Sequence, residues 1–522
     1  MKNSTSLSAW IFVLFFSFFA LISSGRFGGD GLNNYLTAES IVLDGDFSIH
    51  DRPFGVAEMR HSKDQVTGEG VKRYSQYGLA VALLLVPFYY VGHLLSGFVP
   101  SVPHDYITQF AVSFFNPVVL ALLALTLFRI LVKLGYSERI SFFTTVIYSL
   151  CTMNVIYARS GFSEPIVALL VVLAAYGLLT HSKSRSIGSL LAAAAAIGYT
   201  LFIKKNSFIL FPAFGAYFLF LLLSDRKGSL KEKAVFSLCF LAPIMLALAA
   251  IFAQNKILYG GLLITEHGTI GDTMAQVRTD GYPVKGLYYY LISSGKGYFL
   301  YNIALILGLF SIRDFFIKYR SYALFILGLL LFNLLVYSFI FVRGSLFSWG
   351  PRYLFPTLPL FAFFLAEFMS KKNILKRKVT VLFFALLGFM VQLPVLLMNF
   401  SKYLFFVKEK LGLDEYLIDF MPELSPIRGV WVLFLSMIHR IMSGTSLNYS
   451  FNPDLWFFKT INSSFSGYDI VDVWWINILR VKEGLFPAVT LSVLVLLLVL
   501  GITLKSVISS ASGKRRIKGF NE

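Results

Sequence analysis

The residues best suited to chemistry in this chain are two acids and a handful of cations placed at the ends of apolar segments. Asp30 follows the first apolar run in Arg26-Phe-Gly-Gly-Asp30-Gly31, between glycines that let its backbone approach another group closely. An acid so placed can serve as a general base when a substrate hydroxyl comes within about 2.6–3.2 Å. Glu164, in Arg159-Ser-Gly-Phe-Ser-Glu164-Pro165, is the natural second carboxylate, because Pro165 can open a helix at its first turn. Opposite in charge are Arg159, Lys204, Lys205, Lys296 and Arg352, each beside an apolar run. A lone basic residue at a helix end ordinarily anchors that end at the lipid interface. Gathered into one place, these cations would hold an anion such as a lipid phosphate, with Arg offering bidentate geometry and Lys a point charge.

Other polar residues carry plainer readings. Asp44, Asp51, Glu58, Asp64 and Glu69 read as a solvated loop; Asp46 ranks behind Glu164 as a second carboxylate, because Asp-Gly-Asp also reads as a plain turn. Gly295-Lys296-Gly297 lacks the spacing and the following Ser or Thr of a nucleotide-binding loop. Cys151 and Cys239 both fall inside apolar runs and read as buried small hydrophobes. The seven His residues are scattered without ligand spacing, so nothing in the pattern argues for zinc.

The elements that must position these residues are membrane helices. Of 522 residues 57% are hydrophobic and 14% charged, with mean hydropathy +0.70, far from the roughly 25% charge of a soluble domain. Apolar runs of spanning length recur from end to end, which predicts an all-α, polytopic membrane protein. Twelve spans are expected: Ser8–Ser24, Ile107–Leu131, Ile140–Tyr157, Pro165–Thr180, Ile187–Ile203, Ser207–Leu223, Val235–Ala253, Gly297–Ile312, Tyr322–Val342, Tyr353–Phe368, Val379–Phe400 and Leu485–Leu504. The first of these reads as a retained helix rather than a cleaved signal, since no small-residue cleavage site clearly follows.

Net charge +18 is accounted for by the positive-inside rule rather than by nucleic acid. The basic loops Arg129–Arg139, Lys183–Arg185, Arg226–Lys233, Arg313–Arg320, Lys371–Lys378 and Lys505–Lys518 follow every second span, so they share one face, expected to be cytoplasmic with both termini. The apolar stretch Leu79–Val99 then cannot cross; it is expected as a juxtamembrane or re-entrant helix on the outer face, broken by Pro87 and ended near Pro100 and Pro103. The loop Gly25–Gly78 holds eight of the 28 acids and lies on that outer face. The organisation expected is a module over residues 1–400 with its loop 25–106, an outer region 401–483 with the amphipathic pieces Trp431–Ile441 and Trp474–Leu479, and a last helix and basic tail over 484–522.

Several segments, in order, resemble the GT-C superfamily of membrane glycosyltransferases, and within it the bacterial branch near protein O-mannosyltransferases and lipid A aminoarabinose transferases. They are the first-loop Asp30, Tyr74-Ser-Gln-Tyr77-Gly before an outer-face helix, Ser163-Glu164-Pro165, Lys204-Lys-Asn-Ser-Phe, Ser294-Gly-Lys-Gly-Tyr-Phe-Leu-Tyr301 and Trp349-Gly-Pro-Arg-Tyr-Leu-Phe-Pro356. Val391-Gln-Leu-Pro and Ser425-Pro426 are similar to later segments of that branch, so the resemblance runs from Ser8 to about Pro426. It implies a GT-C fold and transfer of a sugar from a polyprenyl-phosphate donor to an acceptor at the outer face. It further implies Asp30 as catalytic base, Glu164 as second acid, and Lys204 or Lys205, Lys296 and Arg352 as ligands of the donor phosphate. Tyr74, Tyr77 and Tyr353, from the motifs that carry the resemblance, and Arg159, from the outer-face cations, complete the expected substrate-binding set. The chain departs from the commonest pattern at Gly31, where many members have a second acid, which leaves the partner of Asp30 open.

The reaction expected is displacement at the anomeric carbon by an acceptor hydroxyl or amine, with inversion. It requires no cofactor, no nucleotide sugar and no metal, although a divalent cation is compatible with it. The expected partners are the polyprenyl-phosphate sugar, a glycan, lipid or protein acceptor, and membrane lipids, in a bacterial inner membrane with the site facing the periplasm. Two other classes fit parts of the pattern: a transporter or lipid-linked sugar flippase, and a non-catalytic envelope-assembly protein. The first would show repeats and mid-membrane charges, whereas these spans are nearly free of charge. The second gives no reason to gather Asp30, Glu164 and the cations.

Overall fold

The structure is a computed structural model that describes residues 2–26, 30–49, 62–67, 70–226, 228–265, 268–269, 283–340, 348–371, 374–405, 407, 415–443 and 471–512. It is helical almost throughout. The first half contains α1 (Lys2–Ile22), α2 (Asp30–Leu43), the hairpin β1 (Ser62–Thr67) and β2 (Gly70–Ser75), α3 (Ala80–Ser96), α4 (His104–Ser113), α5 (Phe115–Leu134), α6 (Glu138–Leu150) and α7 (Asn154–Tyr157). It continues with α8 (Glu164–Ser184), α9 (Ile187–Ile203), α10 (Phe211–Ser224) and α11 (Leu230–Tyr259). Among the described residues, eight helical segments are long and apolar enough to cross a membrane: His104–Leu134, Glu164–Ser184, Lys205–Ser224, Leu230–Tyr259, Arg320–Phe339, Arg352–Ser370, Leu375–Leu397 and Glu483–Ser509. Their exposed faces are rich in Leu, Val and Phe, as an integral membrane protein requires.

These eight correspond to eight of the twelve expected spans. Two more, at Leu7–Ile22 and Ile187–Ile203, are single helices of shorter apolar length. The remaining two are interrupted. The run at Ile140–Tyr157 is split into α6 and α7 because side chains compete for its backbone. Thr152 Oγ1 donates to the Tyr148 carbonyl, Asn154 Nδ2 donates to the Ser149 carbonyl at 3.3 Å, and the Met153 amide donates to Asn302 Oδ1 at 3.1 Å. Asn302 itself stands at φ −137°, ψ 47° between the single turn Tyr298–Tyr301 and the 3-10 turn Ile303–Leu305. Asn302 of the second break thus satisfies the Met153 amide that the first leaves free of its helix. Their hydrophobicity is that of spans, but Asn and Thr within them decide the backbone.

Leu79–Val99 forms α3, as expected, but Pro87 does not break it: the helix runs from Ala80 to Ser96. The ring's missing donor is tolerated because the helix is held from the side. Leu85 and Tyr89 are buried, and Gly92 lies so close to α4 that an added Cβ would stand 2.7 Å from Thr108 Cα.

Small residues also set the crossings of α8, α9 and α11. In Ala192-Ala-Ala-Ala-Ala196 the run of methyl side chains lets α9 lie tightly against α8, where a Cβ on Gly177 would stand 2.6 Å from the Ser189 carbonyl and 2.8 Å from Ala193 Cβ. On the other face, a Cβ at Gly198 would stand 3.1 Å from the Pro243 carbonyl of α11. Small-residue contacts of this kind replace the hydrophobic drive that lipid removes. They hold the C-terminal half of α8 to the first turns of α9, and the later part of α9, shortly before Lys204, to α11.

The late region 401–483 is described in part. Trp431–Ile441 lies on the helix Pro426–Ser443 and Trp474–Leu479 on the helix Trp474–Val481, while residues 444–470 lie outside the described residues, as does the basic tail at 514–518. The Trp474 helix is a clamp on the exit of α1. Trp474 donates from its indole to the Ala20 carbonyl at 2.9 Å and from its amide to the Ser23 carbonyl at 2.8 Å; Asn477 donates to the Ser24 carbonyl at 2.9 Å. This fixes the chain a few residues before Asp30.

Candidate active site

Asp30 is the first residue of α2, and Glu164 the first of α8. Each carboxylate thus sits at a helix N-terminus, where unpaired amides and the helix dipole favour negative charge. The two helix starts are brought together by glycines. A Cβ at Gly31 would stand 2.6 Å from Gly161 Cα and 3.2 Å from the Gly161 carbonyl carbon and oxygen. That explains the departure noted in the sequence: there is no room for an acid at Gly31, because α2 lies directly on the loop before Glu164. Asn116 of α5 braces that loop by donating to the Ser160 and Phe162 carbonyls at 2.5 and 3.2 Å.

Arg352 joins the two acids. Its Nη2 donates to Asp30 Oδ2 at 2.5 Å and its Nε to Glu164 Oε1 at 2.6 Å. Lys204 Nζ pairs with the same Glu164 oxygen. Tyr77 Oη donates to Asp30 Oδ1 at 2.7 Å and in turn receives Gln76 Nε2 at 3.0 Å. The guanidinium carbon lies 4.1 Å from the centroid of the Phe162 ring, and Lys204 Nζ lies 5.2 Å from that of Tyr353. Glu164 is wholly buried, while the side chains of Asp30, Lys204 and Arg352 keep 22%, 20% and 14% exposure. The network is therefore open to a ligand from the Asp30–Lys204 side and closed behind Glu164.

Two acids and two cations make the network neutral as it stands. Burial lowers the Lys204 ammonium below its ordinary range, with the Glu164 charge opposing that shift. The Tyr77 phenol is raised by burial and then by the Asp30 charge, so it stays a donor at any physiological pH. Glu164 Oε2 is buried with no hydrogen-bond partner among the described residues. A buried carboxylate oxygen without a partner is rare in a folded protein and marks an acceptor the fold itself leaves unused.

Local sequence explains how the cations arrive. Gly350 takes φ +70°, a left-handed turn that starts the loop, and Pro351 leads into the 3-10 turn Arg352–Thr357. Trp349, buried, pins that loop: its indole donates to Gln392 Oε1 at 2.8 Å, and Gln392 donates to the Tyr301 carbonyl at 2.9 Å. Lys204 caps α9 with extended dihedrals (φ −149°, ψ 109°), which turns its side chain across toward Glu164.

The other expected ligands are placed differently. Tyr353 stacks on Tyr337 at 5.0 Å beside Lys204, within the site. Lys205 lies next to it but donates to Asn255 Oδ1 at 3.5 Å. Lys296 is buried, its Nζ donating to the Ser348 carbonyl at 2.6 Å, so it supports the Trp349 loop from behind. Tyr74 is buried against Leu79 and Leu258 under the β-hairpin. Arg159 is a structural staple: its guanidinium donates to the Val395, Met398 and Asp472 carbonyls, and its Nη2 lies 3.6 Å from the Asp472 carboxylate. Burial lowers its basicity, and the Asp472 charge offsets part of that. Asp46 accepts from the Ser48 amide at 2.8 Å, the turn expected of it, and Lys72 approaches it at 3.4 Å. Phe162 and Gln76 stand inside the quoted motifs but carry no role in the sequence reading. Each lies within two residues of a motif member, and nothing in its type marks it.

No protein-family model matches this chain, and no curated protein matches it in sequence. Among solved structures the chain is similar to ArnT from Cupriavidus metallidurans in the apo state, at 14% identity with TM-score 0.48, covering 98% of this chain and 78% of that one. It is similar also to the same organism's ArnT bound to undecaprenyl phosphate, at 12% identity with TM-score 0.48 and the same coverage.

Proposed function

We propose that this protein is a membrane glycosyltransferase that moves a sugar from a polyprenyl-phosphate donor to an acceptor hydroxyl or amine, with inversion at the anomeric carbon. The observation that carries this reading is the single guanidinium of Arg352 shared by Asp30 and Glu164, with Lys204 on the same Glu164 oxygen. As a stabilising device such a cluster is poor, because desolvating four charges offsets most of their mutual attraction. As a site it holds a base and two cations at a partly exposed rim.

In the mechanism, the acceptor oxygen or nitrogen attacks the anomeric carbon while the bond from that carbon to the phosphate oxygen breaks. The electron pair leaves on the phosphate. Asp30 takes the acceptor proton, and Arg352 and Lys204 stabilise the departing phosphate dianion. Both Asp30 oxygens are engaged in the free protein, by Tyr77 and Arg352. Arriving donor phosphate competes for Arg352, frees Oδ2 of Asp30, and so couples donor binding to exposure of the base. Glu164 keeps Arg352 and Lys204 oriented from below. We place the reaction at the outer face of a bacterial inner membrane, from the alternation of basic loops. The acceptor is a glycan, a lipid or a protein.

The test is Asp30→Asn, which keeps shape and removes the base. Transfer of labelled sugar from lipid carrier should be abolished, while donor binding and membrane abundance stay near wild type. A well-expressed Asp30→Asn protein with normal transfer would end the assignment. Loss of abundance together with activity would make Asp30 a structural residue.

A further inference from the structure

Apart from the acid–cation network, one other cluster of metal-ligating side chains stands among the described residues, on the far part of α2. Glu39, His104 and Asp105 each present one ligand atom, and these atoms all lie within 4.8 Å of one another. Glu39 is buried, 2% exposed, and accepts from Tyr89 Oη of α3 at 3.1 Å. His104 and Asp105 open α4 and are about a third exposed, at 35% and 39% of their side chains. His104 Nδ1 faces Asp105 Oδ1 at 3.3 Å, and its other ring nitrogen, Nε2, meets His93 Nδ1 at 3.0 Å. The chemistry on three separate helices thus converges on one point at the rim of the α3–α4 hairpin.

We propose that Glu39, His104 and Asp105 bind a divalent transition-metal ion, with His93 holding the ring of His104. One imidazole and two carboxylates, without thiolate, form a donor set suited to zinc, manganese or cobalt rather than to copper(I). With bonds of about 2.0–2.1 Å, neighbouring ligand atoms in a four-coordinate site stand roughly 3.3 Å apart, so the widest pair closes by at most about 1.5 Å on binding. His104 and Asp105 have the exposure to make that movement, and water completes the coordination from the same open side. The contact between His93 and Nε2 supports the assignment. A ligating histidine usually donates its second ring N–H to a fixed acceptor, which sets the tautomer and aims the lone pair of the first nitrogen at the metal. The proposed site assigns that acceptor role to His93 Nδ1, 3.0 Å from Nε2, which leaves Nδ1 of His104 for the ion beside Asp105.

This site is distinct from the acid–cation network. Glu39 follows Asp30 by two and a half turns along α2, about 13 Å at 1.5 Å per residue. The ion would tie the C-terminal half of α2 to the start of α4, and so fix the axial position of the helix that carries Asp30. Along the chain the ligands give no signal, because 65 residues separate Glu39 from His104 and no short metal-binding spacing links them.

The experiment uses the full-length protein in detergent micelles, purified without a histidine tag, stripped with chelator and reloaded with ZnCl2 before desalting. Wild type should retain one more zinc per chain than His104→Gln or Asp105→Asn, both at the rim and compatible with folding. Cobalt-loaded wild type should show visible ligand-field bands that the His104→Gln protein lacks. His93→Phe should weaken zinc binding about ten- to a hundredfold, as the loss of an outer partner does. Zinc should also raise the melting temperature of wild type and not of the variants. Equal zinc content and identical cobalt spectra in wild type and His104→Gln would overturn the proposal, assigning whatever metal is bound to scattered surface groups.

Discussion

Gly31→Ala is the sharpest perturbation of the site, because it adds one methyl group away from the reacting atoms. In helix-propensity terms it is favourable, by at most about 1 kcal/mol, and less at the first turn, where the substitution falls. Sterics oppose it. The new Cβ would lie 2.6 Å from Gly161 Cα, a backbone atom on a loop that Asn116 holds at two carbonyls. Restoring ordinary contact requires the start of α2 to retreat by roughly 1 Å, and overpacking of this kind costs about 1–3 kcal/mol. The Asp30–Arg352 contact, 2.5 Å in the native protein, would then open beyond hydrogen-bond distance. A misplacement of about 1 Å in a reacting group lowers the rate on the order of a hundredfold. Transfer of labelled sugar should therefore fall by that factor, while membrane abundance and the melting temperature fall only slightly. Gly31→Ser should behave alike, since its Cβ meets the same backbone. Transfer within about twofold of wild type at equal abundance would refute the argument that the Gly31–Gly161 contact sets the position of the base.

Two further substitutions separate binding from support. Arg352→Lys keeps the charge but cannot bridge Asp30 and Glu164 through two nitrogens; donor affinity should drop roughly ten- to a hundredfold, the worth of one charge-assisted contact, as read by competition with unlabelled donor. Arg159→Ala strips donors from three carbonyls on two distant segments, so thermal stability should fall by about 2–4 kcal/mol with donor affinity per folded protein unchanged. The opposite result, weakened donor binding in a stable Arg159→Ala protein, would return Arg159 to the substrate-binding set.

Sequence alone determined the membrane class and the approximate position of the long helices, and it singled out Asp30 and Glu164 as the candidate acids. Hydrophobic length is a property of consecutive residues, and it locates Leu230–Tyr259 or Glu483–Ser509 without knowledge of any neighbour. Asp30 and Glu164 were legible because carboxylates beside apolar runs are rare and expensive. Tertiary structure decided which cations those acids meet. Arg159, Lys204, Lys205, Lys296 and Arg352 are alike in the sequence, each a positive charge at a helix end. Folding sends Arg352 and Lys204 to Glu164, Lys296 to the Ser348 carbonyl and Arg159 to the Met398 carbonyl. The same holds for the interrupted runs around Met153 and Asn302, joined by the Met153 amide donating to Asn302 Oδ1 across 149 residues, and for Glu39 and His104. A side chain's type records what it can bond to, whereas the crossings set by Gly31, Gly177 and Gly198 fix which groups come within bonding distance, and those distances exist only once the helices have packed.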